Sequence, residues 1–280
     1  MKISQTSIRR RKTMNAVLLG STLVATALAT IPLIWIIVEV ISRGLPALTP
    51  EFFTQSYMPL TRGGGGVLHA ILGSFVLIGI ASAISIPIAL FAAIYAAQHP
   101  NTTLGLVIRF STDVMSGLPS IVVGLFVYTL FVSGNGYSAL AGGVALAMMM
   151  LPIVLRTTEE MLKLVPRAMR EGSLGLGAPE WKTMFSVMLP AALSGILTGI
   201  LLAVARVSGE AAPLLLTAQG SNFLSTSLGE PIAALPLVMF KYAIDPSPAR
   251  NSQAWAIALV ILAIVFALNL GARLLARNRH

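Results

Sequence analysis

The sequence predicts an all-α membrane protein that crosses the bilayer six times. Of its 280 residues, 56% are hydrophobic and only 10% are charged, whereas a soluble domain usually carries about 25% charged residues. The apolar residues are concentrated in runs of about twenty or more, the length that a helix needs to cross a bilayer. The short alternating segments that are typical of membrane β-barrels are not found in the sequence. Because a lipid-facing backbone must satisfy its own hydrogen bonds, these runs are predicted to be helices.

Six apolar runs are predicted to be the membrane spans. They cover about residues 14–41, 67–97, 104–132, 137–155, 190–216 and 254–270. The first run is longer than the apolar part of a signal peptide, so it is interpreted as a retained helix. Pro87 lies inside the second run and Pro152 inside the fourth. A proline is tolerated in a membrane helix and often marks a kink.

The connections between the spans are polar and rich in glycine and proline. The loop 42–66 contains four consecutive glycines at 63–66. Their spacing fits no phosphate-binding loop, so the loop is predicted to be a flexible external connection. The Gly-Asn-Gly sequence at 134–136 predicts a tight turn. Within the proline-rich segment 217–251, residues 232–242 are predicted to form a short re-entrant or interfacial helix.

The distribution of basic residues predicts the orientation of the chain in the cytoplasmic (inner) membrane. Most of the 19 lysine and arginine residues fall in segments that place both termini in the cytoplasm, the side on which positive charge accumulates. The basic residues in the external segments are Arg43, Arg62, Lys241 and Arg250. The formal charge of +9 is therefore explained by the ends of membrane helices, and no nucleic-acid partner is expected.

The sequence contains few residues that could form a catalytic or metal-binding site. Cysteine is absent, which excludes disulfides and thiolate metal sites. The three histidines, His69, His99 and His280, are scattered, and His69 is interpreted as an interfacial residue at an outer helix end. No phosphate loop of the Gly-x-x-x-x-Gly-Lys-Ser/Thr kind is present. The chain is therefore expected to be no enzyme, to bind no cofactor or metal, and to hydrolyse no ATP itself.

Arg206 and Glu210 are charged residues inside the predicted fifth span. Their four-residue spacing places them on one helix face, and a charge at the centre of a span costs about 2.5–3.5 kcal/mol. Two interpretations stay open. The two residues could form a neutralising ion pair that fixes helix packing. Alternatively, they could line a substrate pathway in which Arg206 binds an oxyanion and the negative charge of Glu210 weakens this binding, so that the anion can leave. Ser116, Ser120 and Ser208 are weaker candidates for the same pathway, because serines in spans often bond to carbonyls of their own helix.

A second charged pair lies near the predicted cytoplasmic start of the third span. Arg109 and Asp113 are also four residues apart, so they would share one face of a helix. A position at the membrane interface would keep both charges within reach of water and of lipid headgroups. We therefore predict that this pair has a structural role rather than a role in transport.

A polar, basic island, residues 158–190, separates the fourth and fifth spans. Two short amphipathic helices are predicted at 166–173 and 179–187, separated by the flexible Gly-Leu-Gly at 175–177. Pro179 suits the first turn of the second helix. Such a hairpin at the membrane surface could touch a water-soluble partner and move as one body. A solvated loop with scattered charge is the alternative interpretation.

The island resembles the EAA loop of importer-type ABC permeases, in which Glu-Ala-Ala is followed by Gly and by Ile-x-Leu-Pro. The matching residues here are Glu171, Gly172, Ser173, Gly177, Leu189 and Pro190. Gly172 and Ser173 depart from Ala-Ala but keep the small size. Residues 118–128, 171–182 and 205–214, the last with its Arg-x-x-Gly-Glu pattern, resemble segments of PstA-type permeases of phosphate ABC importers. The resemblance covers residues 67–275.

This resemblance implies a fold, a function and a set of partners. Residues 67–275 are expected to form a type I, MetI-like, importer permease domain, preceded by a tail, helix and loop in 1–66 and followed by a cytoplasmic tail in 276–280. The implied function is transport of inorganic phosphate across the cytoplasmic membrane. The implied partners are a PstC-like permease in a heterodimer, a PstB-like ATPase dimer that binds ATP, and a PstS-like phosphate-binding protein outside the membrane. The EAA-loop residues would contact the ATPase.

Three other functions are weighed against this one. An importer of phosphonate, molybdate or sulfate would use the same chemistry, because one arginine does not discriminate between oxyanions. A transporter driven by an ion gradient often has inverted repeats with broken helices and more membrane carboxylates, which the sequence does not suggest. In a membrane scaffold without transport, a charged pair inside a span would have no function to justify its cost.

Overall fold

Helices make up most of the chain in the computed structural model, which describes residues 5–225 and 227–277. Most of the predicted tail 276–280 lies outside the described residues, as does Lys2. The helices are α1 (Gln5–Gly44), α2 (Pro50–Thr54), α3 (Leu68–Gln98), α4 (Thr103–Gly117), α5 (Ser120–Val127), α6 (Ala139–Leu164), α7 (Arg167–Gly175), α8 (Glu180–Thr183), α9 (Leu189–Val207), α10 (Ala212–Thr217), α11 (Leu235–Ala243) and α12 (Pro248–Arg277). Within the described residues, β-structure is limited to two isolated bridges. The predicted all-α class is confirmed.

Five helical segments are long and apolar enough to cross a membrane, and a bent pair of helices makes a sixth. The bent pair occupies the place of the predicted third span and consists of Thr103–Gly117 and Ser120–Val132, which meet at 107°. The prediction of one continuous third span is therefore wrong. The cause is Pro119, which disfavours a helical conformation in the preceding residue, and Leu118 is indeed extended (ψ 132°).

Two further span boundaries differ from the predictions. The fourth span was expected to end at residue 155, but α6 continues to Leu164, because the charged residues that lower its hydropathy do not interrupt a helix. The fifth span was expected to reach residue 216, but α9 ends at Val207 and α10 begins at Ala212. Gly209 and Pro213 explain this turn, since glycine is a weak helix former and proline lacks the N–H that a helix interior needs.

The helices pack around α6, which lies between α3 and α9. Side chains of α3 and α6 form the main core, with Leu77, Leu146 and Met150 among its buried members. The contact between α6 and α9 depends on Gly195 and Gly199, where an added Cβ would overlap Met161 and Thr157, respectively. Small residues four apart let membrane helices approach closely. This close packing fixes the end of α9 beside the middle of α6.

We call the two ends of the bundle the loop end, with residues 45–67 and 218–247, and the basic end, with residues 98–103 and 164–188. At the loop end, the glycine run 63–66 is folded rather than flexible, which corrects the prediction. Its carbonyls accept hydrogen bonds from α12, from Arg250 Nη1 to Gly64 O (3.0 Å) and from Gln253 Nε2 to Gly65 O (3.0 Å). Positive φ angles at 63–65 explain why glycine is used there.

The other predictions for the loop end have mixed outcomes. The tight turn at 134–136 is confirmed, with φ of 93° at Gly134 and 86° at Gly136. The short helix predicted at 232–242 is confirmed as α11, which packs against α12. His69 lies in the first turn of α3, at the helix end where it was predicted, but it is buried inside the bundle (2% exposed) rather than facing outward. Neither ring nitrogen of His69 has a hydrogen-bond partner among the described residues.

Candidate transport site and coupling segment

Arg206 lies in the last turn of α9 and lines a cavity of about 120 Å³. The other lining residues come from the break between α4 and α5 and from the middle of α6: Met115, Ser116, Leu118, Val123, Met149, Pro152 and Ile153. The volume is several times the ~10–15 Å³ that one water molecule needs. The arginine that the sequence singled out therefore lies beside the one broken span among the described helices.

Glu210 does not pair with Arg206. Because α9 ends at Val207, Glu210 lies in the following turn, where its N–H donates to Val207 O (3.2 Å). The prediction that both residues share one helix face is wrong for this reason. Throughout the described part of the chain, no carboxylate lies within 4.0 Å of the Arg206 guanidinium. The neutralising ion pair is thus not formed, and the exposed Arg206 side chain presents its donors to the cavity.

The serine candidates separate into two places. Ser208 lines two small cavities of about 10 and 30 Å³ together with Ser74 and Ile78, and its Oγ donates to Val204 O (2.7 Å). These cavities hold one or two waters at most, so the structure does not bring Ser208 to the Arg206 cavity. Ser116 does line that cavity. Its Oγ donates to Thr112 O (2.8 Å), which leaves the hydroxyl oxygen free to accept.

The prediction that Arg109 pairs with Asp113 is wrong, because each of the two residues forms an ion pair with a residue of α6 instead. Arg109 Nε donates to Glu159 Oε1 at 2.7 Å, and Asp113 pairs with Arg156. Glu159 also accepts from Lys163 Nζ at 2.6 Å. The sequence reasoning missed Glu159, although its spacing to Lys163 is that of a helical ion pair.

The island between α6 and α9 forms a hairpin at the basic end, which we call the coupling segment (residues 166–188). Helix α7 confirms the first predicted helix, and Gly177, with φ of 85°, makes the turn. The second predicted helix is not separate. Helix α8 continues through a π-helical stretch, Met184–Met188, directly into α9. Pro190 at the start of α9 has no N–H to bond four residues back, which favours the wider π pattern before it.

The coupling segment presents apolar side chains on its outer surface. Leu176 at the tip is 91% exposed and Trp181 in α8 is 66% exposed. Glu171, Gly172 and Gly177 are exposed as well. The two halves of the hairpin are joined by a 2.9 Å hydrogen bond between Ser173 Oγ and Thr183 Oγ1. The segment is therefore one body with an exposed face that suits a protein partner.

A helical membrane bundle with a broken span, an open arginine beside the break and an exposed hairpin has the features of a transport permease that is driven by a partner outside the membrane. Residues 85–280 match the family described as "Binding-protein-dependent transport system inner membrane component". The chain belongs to this family of ABC importer permeases, and within it to the PstA-type permeases. It is accordingly a membrane subunit of a transporter and not an enzyme. The scaffold and the ion-gradient transporter are thereby excluded.

Two curated relatives illustrate the similarity. The phosphate transport system permease protein PstA of Haemophilus influenzae is 43% identical over 271 residues, which cover 96% of each chain. The phosphate transport system permease protein PstA 1 of Mycobacterium tuberculosis (strain ATCC 25618 / H37Rv) is 37% identical over 272 residues, covering 95% of this chain and 88% of that protein. The likeness thus extends over nearly the whole chain, including the first helix and the loop after it.

Solved structures confirm the type I importer permease fold. A chain of the MetNI methionine ABC transporter matches with a TM-score of 0.57 and 18% identity, covering 78% of this chain and 96% of that one. A chain of a bacterial alginate ABC transporter, solved with an alginate-bound periplasmic protein, matches with a TM-score of 0.64 and 11% identity, covering 98% and 96%. At these identities the comparison concerns the fold alone.

Proposed function

We propose that this chain is the permease subunit through which an ABC importer carries inorganic phosphate across the cytoplasmic membrane. The observation that carries the proposal is the unpaired guanidinium of Arg206 in the cavity at the broken span. The relatives are named as phosphate permeases, which supports phosphate over another oxyanion.

The chemistry of arginine suits phosphate. Its planar fork donates two hydrogen bonds to two oxygens of the same anion. A single arginine, without a second cation lining the same cavity, binds an anion weakly enough for it to leave. The binding protein would then capture phosphate with high affinity, and Arg206 would be a transient, weak binding site on the pathway through the membrane.

The surroundings of Arg206 support a second permease subunit. In the single chain the Arg206 side chain is exposed at the end of a membrane-spanning helix. A charge that faces lipid is unfavourable, and its cost rises toward the centre of the bilayer. A PstC-like partner permease that covers the cavity would remove this cost and would complete a pathway between two subunits.

The coupling segment is the proposed contact with a PstB-like ATPase dimer, which would bind and hydrolyse ATP. The residues assigned to this contact are Glu171, Gly172, Ser173 and Gly177 on the hairpin, with Leu189 and Pro190 at its base. Because Glu180–Val207 is one helical span, displacement of the hairpin can pass along it to Arg206, roughly 40 Å away at 1.5 Å per residue. The basic end would then face the cytoplasm with both termini. The loop end would face a PstS-like binding protein.

Transport in a reconstituted system tests the substrate. The four components are placed in lipid vesicles, and ATP-dependent uptake of labelled phosphate is measured with arsenate, sulfate or molybdate as competitor. We expect arsenate to compete, because it has the shape and protonation of phosphate, and sulfate and molybdate to leave uptake unchanged. Uptake of sulfate or molybdate in place of phosphate would contradict the proposal.

A variant of the coupling segment tests the driving mechanism. We expect Glu171→Gln combined with Gly177→Val to abolish recruitment of the ATPase, since a β-branched residue does not tolerate the positive φ at 177. Lys182→Gln, an exposed change in the same segment, is the matched control. A double variant that retained the ATPase and transported at the wild-type rate would rule out this contact.

A further inference from the structure

Arg109 joins three helical elements with one side chain. Its Nε donates to Glu159 on α6 (2.7 Å), its Nη2 to Ala96 O in the last turn of α3 (2.7 Å), and its Nη1 to Pro100 O in the α3–α4 turn (2.9 Å). All three guanidinium nitrogens therefore have acceptors. A planar fork with an acceptor at each nitrogen holds its partners in a fixed arrangement.

Glu159 anchors this arrangement close to the coupling segment. The residue is only 5% exposed and accepts hydrogen bonds from Arg109 and Lys163. Both Glu159 and Lys163 lie in the last two turns of α6, which ends at Leu164, and α7 begins at Arg167. Glu159 lies five residues, or roughly 8 Å of helix, before the end of α6 at Leu164.

The other end of α4 reaches the Arg206 cavity. Ser116, which lines that cavity, lies two helical turns after Arg109, or roughly 10 Å. Helix α4 has little apolar packing of its own within the chain, because Gly105 and Thr112 are its only buried residues. The polar link to α6 through Arg109 and the buried Glu159 is therefore prominent in its attachment, whereas the pair of Asp113 with Arg156 is exposed and contributes little.

We propose that Arg109 and Glu159 are positioning residues for energy coupling. Their ion pair makes α4 move with the end of α6 that carries the coupling segment, so that displacement of the hairpin reshapes the cavity at the α4–α5 break. The inference rests on the proposed function, since it needs an ATPase that moves the hairpin. It adds a second route to the cavity, through α6 and α4, beside the direct route along α9.

The amount of phosphate imported per ATP hydrolysed, measured with the complete reconstituted importer, tests this role. We expect Arg109→Gln to leave assembly and ATP hydrolysis intact and to lower this ratio about fivefold or more, the lower end of typical coupling between sites. Arg109→Lys should restore part of the ratio, because lysine keeps the charge opposite Glu159 without the planar fork. Arg156→Gln, which breaks the exposed pair between the same helices, is the matched control and should stay within about twofold of wild type.

The outcomes separate this role from a merely structural one. An assembled Arg109→Gln complex with the wild-type ratio would overturn the proposal. If Arg109→Gln does not assemble, Arg109→Lys decides: a reduced ratio supports coupling, whereas a wild-type ratio or a failure of both variants to assemble overturns it. A wild-type complex that hydrolyses ATP and imports no phosphate would instead contradict the proposed function.

Discussion

Arg206 and Arg250 lie on two membrane-spanning helices, α9 and α12, yet their surroundings differ. Arg250 at the loop end is 3% exposed, donates to Gly64 O, Met58 O and the Tyr242 hydroxyl, and stacks on the rings of Tyr57 (4.7 Å) and Tyr242 (4.6 Å). Arg206 lines an open cavity, and in the described chain no carboxylate is near it.

The difference teaches how to distinguish a structural arginine from a ligand-binding one. The guanidinium of Arg250 is buried and bonded to groups of its own chain, so it is closed to a ligand and serves to hold the loop end. The guanidinium of Arg109 is likewise engaged by three acceptors of its own chain, which suits the positioning role proposed above. Arg206 keeps its donors available, which is what an anion pathway requires.

The largest expected effect is that of Arg206→Gln. We expect phosphate uptake by the reconstituted importer to fall at least about a hundredfold, because two charge-assisted hydrogen bonds of about 1.5–3 kcal/mol each are lost. Assembly and thermal stability should be unchanged, since the guanidinium forms no ion pair with any of the described residues. Uptake assays and size-exclusion chromatography of the complex measure the two effects. Normal uptake would remove Arg206 from the mechanism.

A double variant serves as the control for this prediction. If Arg206 and Glu210 neutralised each other, removing both charges with Arg206→Gln and Glu210→Gln would relieve the unpaired carboxylate and recover activity. Because the two side chains are not paired in the structure, we expect the double variant to be as inactive as Arg206→Gln alone. Recovery of uptake would reinstate the ion pair.

Arg250→Met is expected to have the opposite effect to Arg206→Gln: it should lower stability and leave phosphate uptake nearly unchanged. Methionine preserves some packing but leaves the buried carbonyl of Gly64 without its donor, at about 1–3 kcal/mol, and removes the hydrogen bond to the carbonyl of the exposed Met58. We expect a loss of roughly 3 kcal/mol of stability, seen as a lower unfolding midpoint in detergent, and near-normal uptake per assembled complex. Wild-type stability would show that the loop end does not depend on this arginine.

The smallest effect is expected for Ser208→Ala. Its hydroxyl already donates to Val204 O within α9, and its cavities are too small for an oxyanion. We expect uptake within about twofold of wild type and a stability change below about 0.5 kcal/mol. A large loss of uptake with unchanged stability would return Ser208 to the substrate pathway.

Most of the fold was predictable from the sequence, and the partners of charged groups were not. The apolar runs located the spans, and the spacing of Glu171, Gly177 and Pro190 located the coupling segment. Charge spacing suggested pairs within one helix, Arg109 with Asp113 and Arg206 with Glu210, and neither pair exists in the structure.

The physical reason lies in the range of the interactions. A backbone in lipid must bond to itself within a few residues, so the sequence alone determined where helices form and where Pro119 breaks one. The partner of a charged side chain depends on which groups the packing of the helices places next to it. For Arg109 this partner is Glu159, which is fifty residues away in the chain. The tertiary structure alone decided that Arg109 and Arg250 bind groups of their own chain while Arg206 stays open beside the broken span.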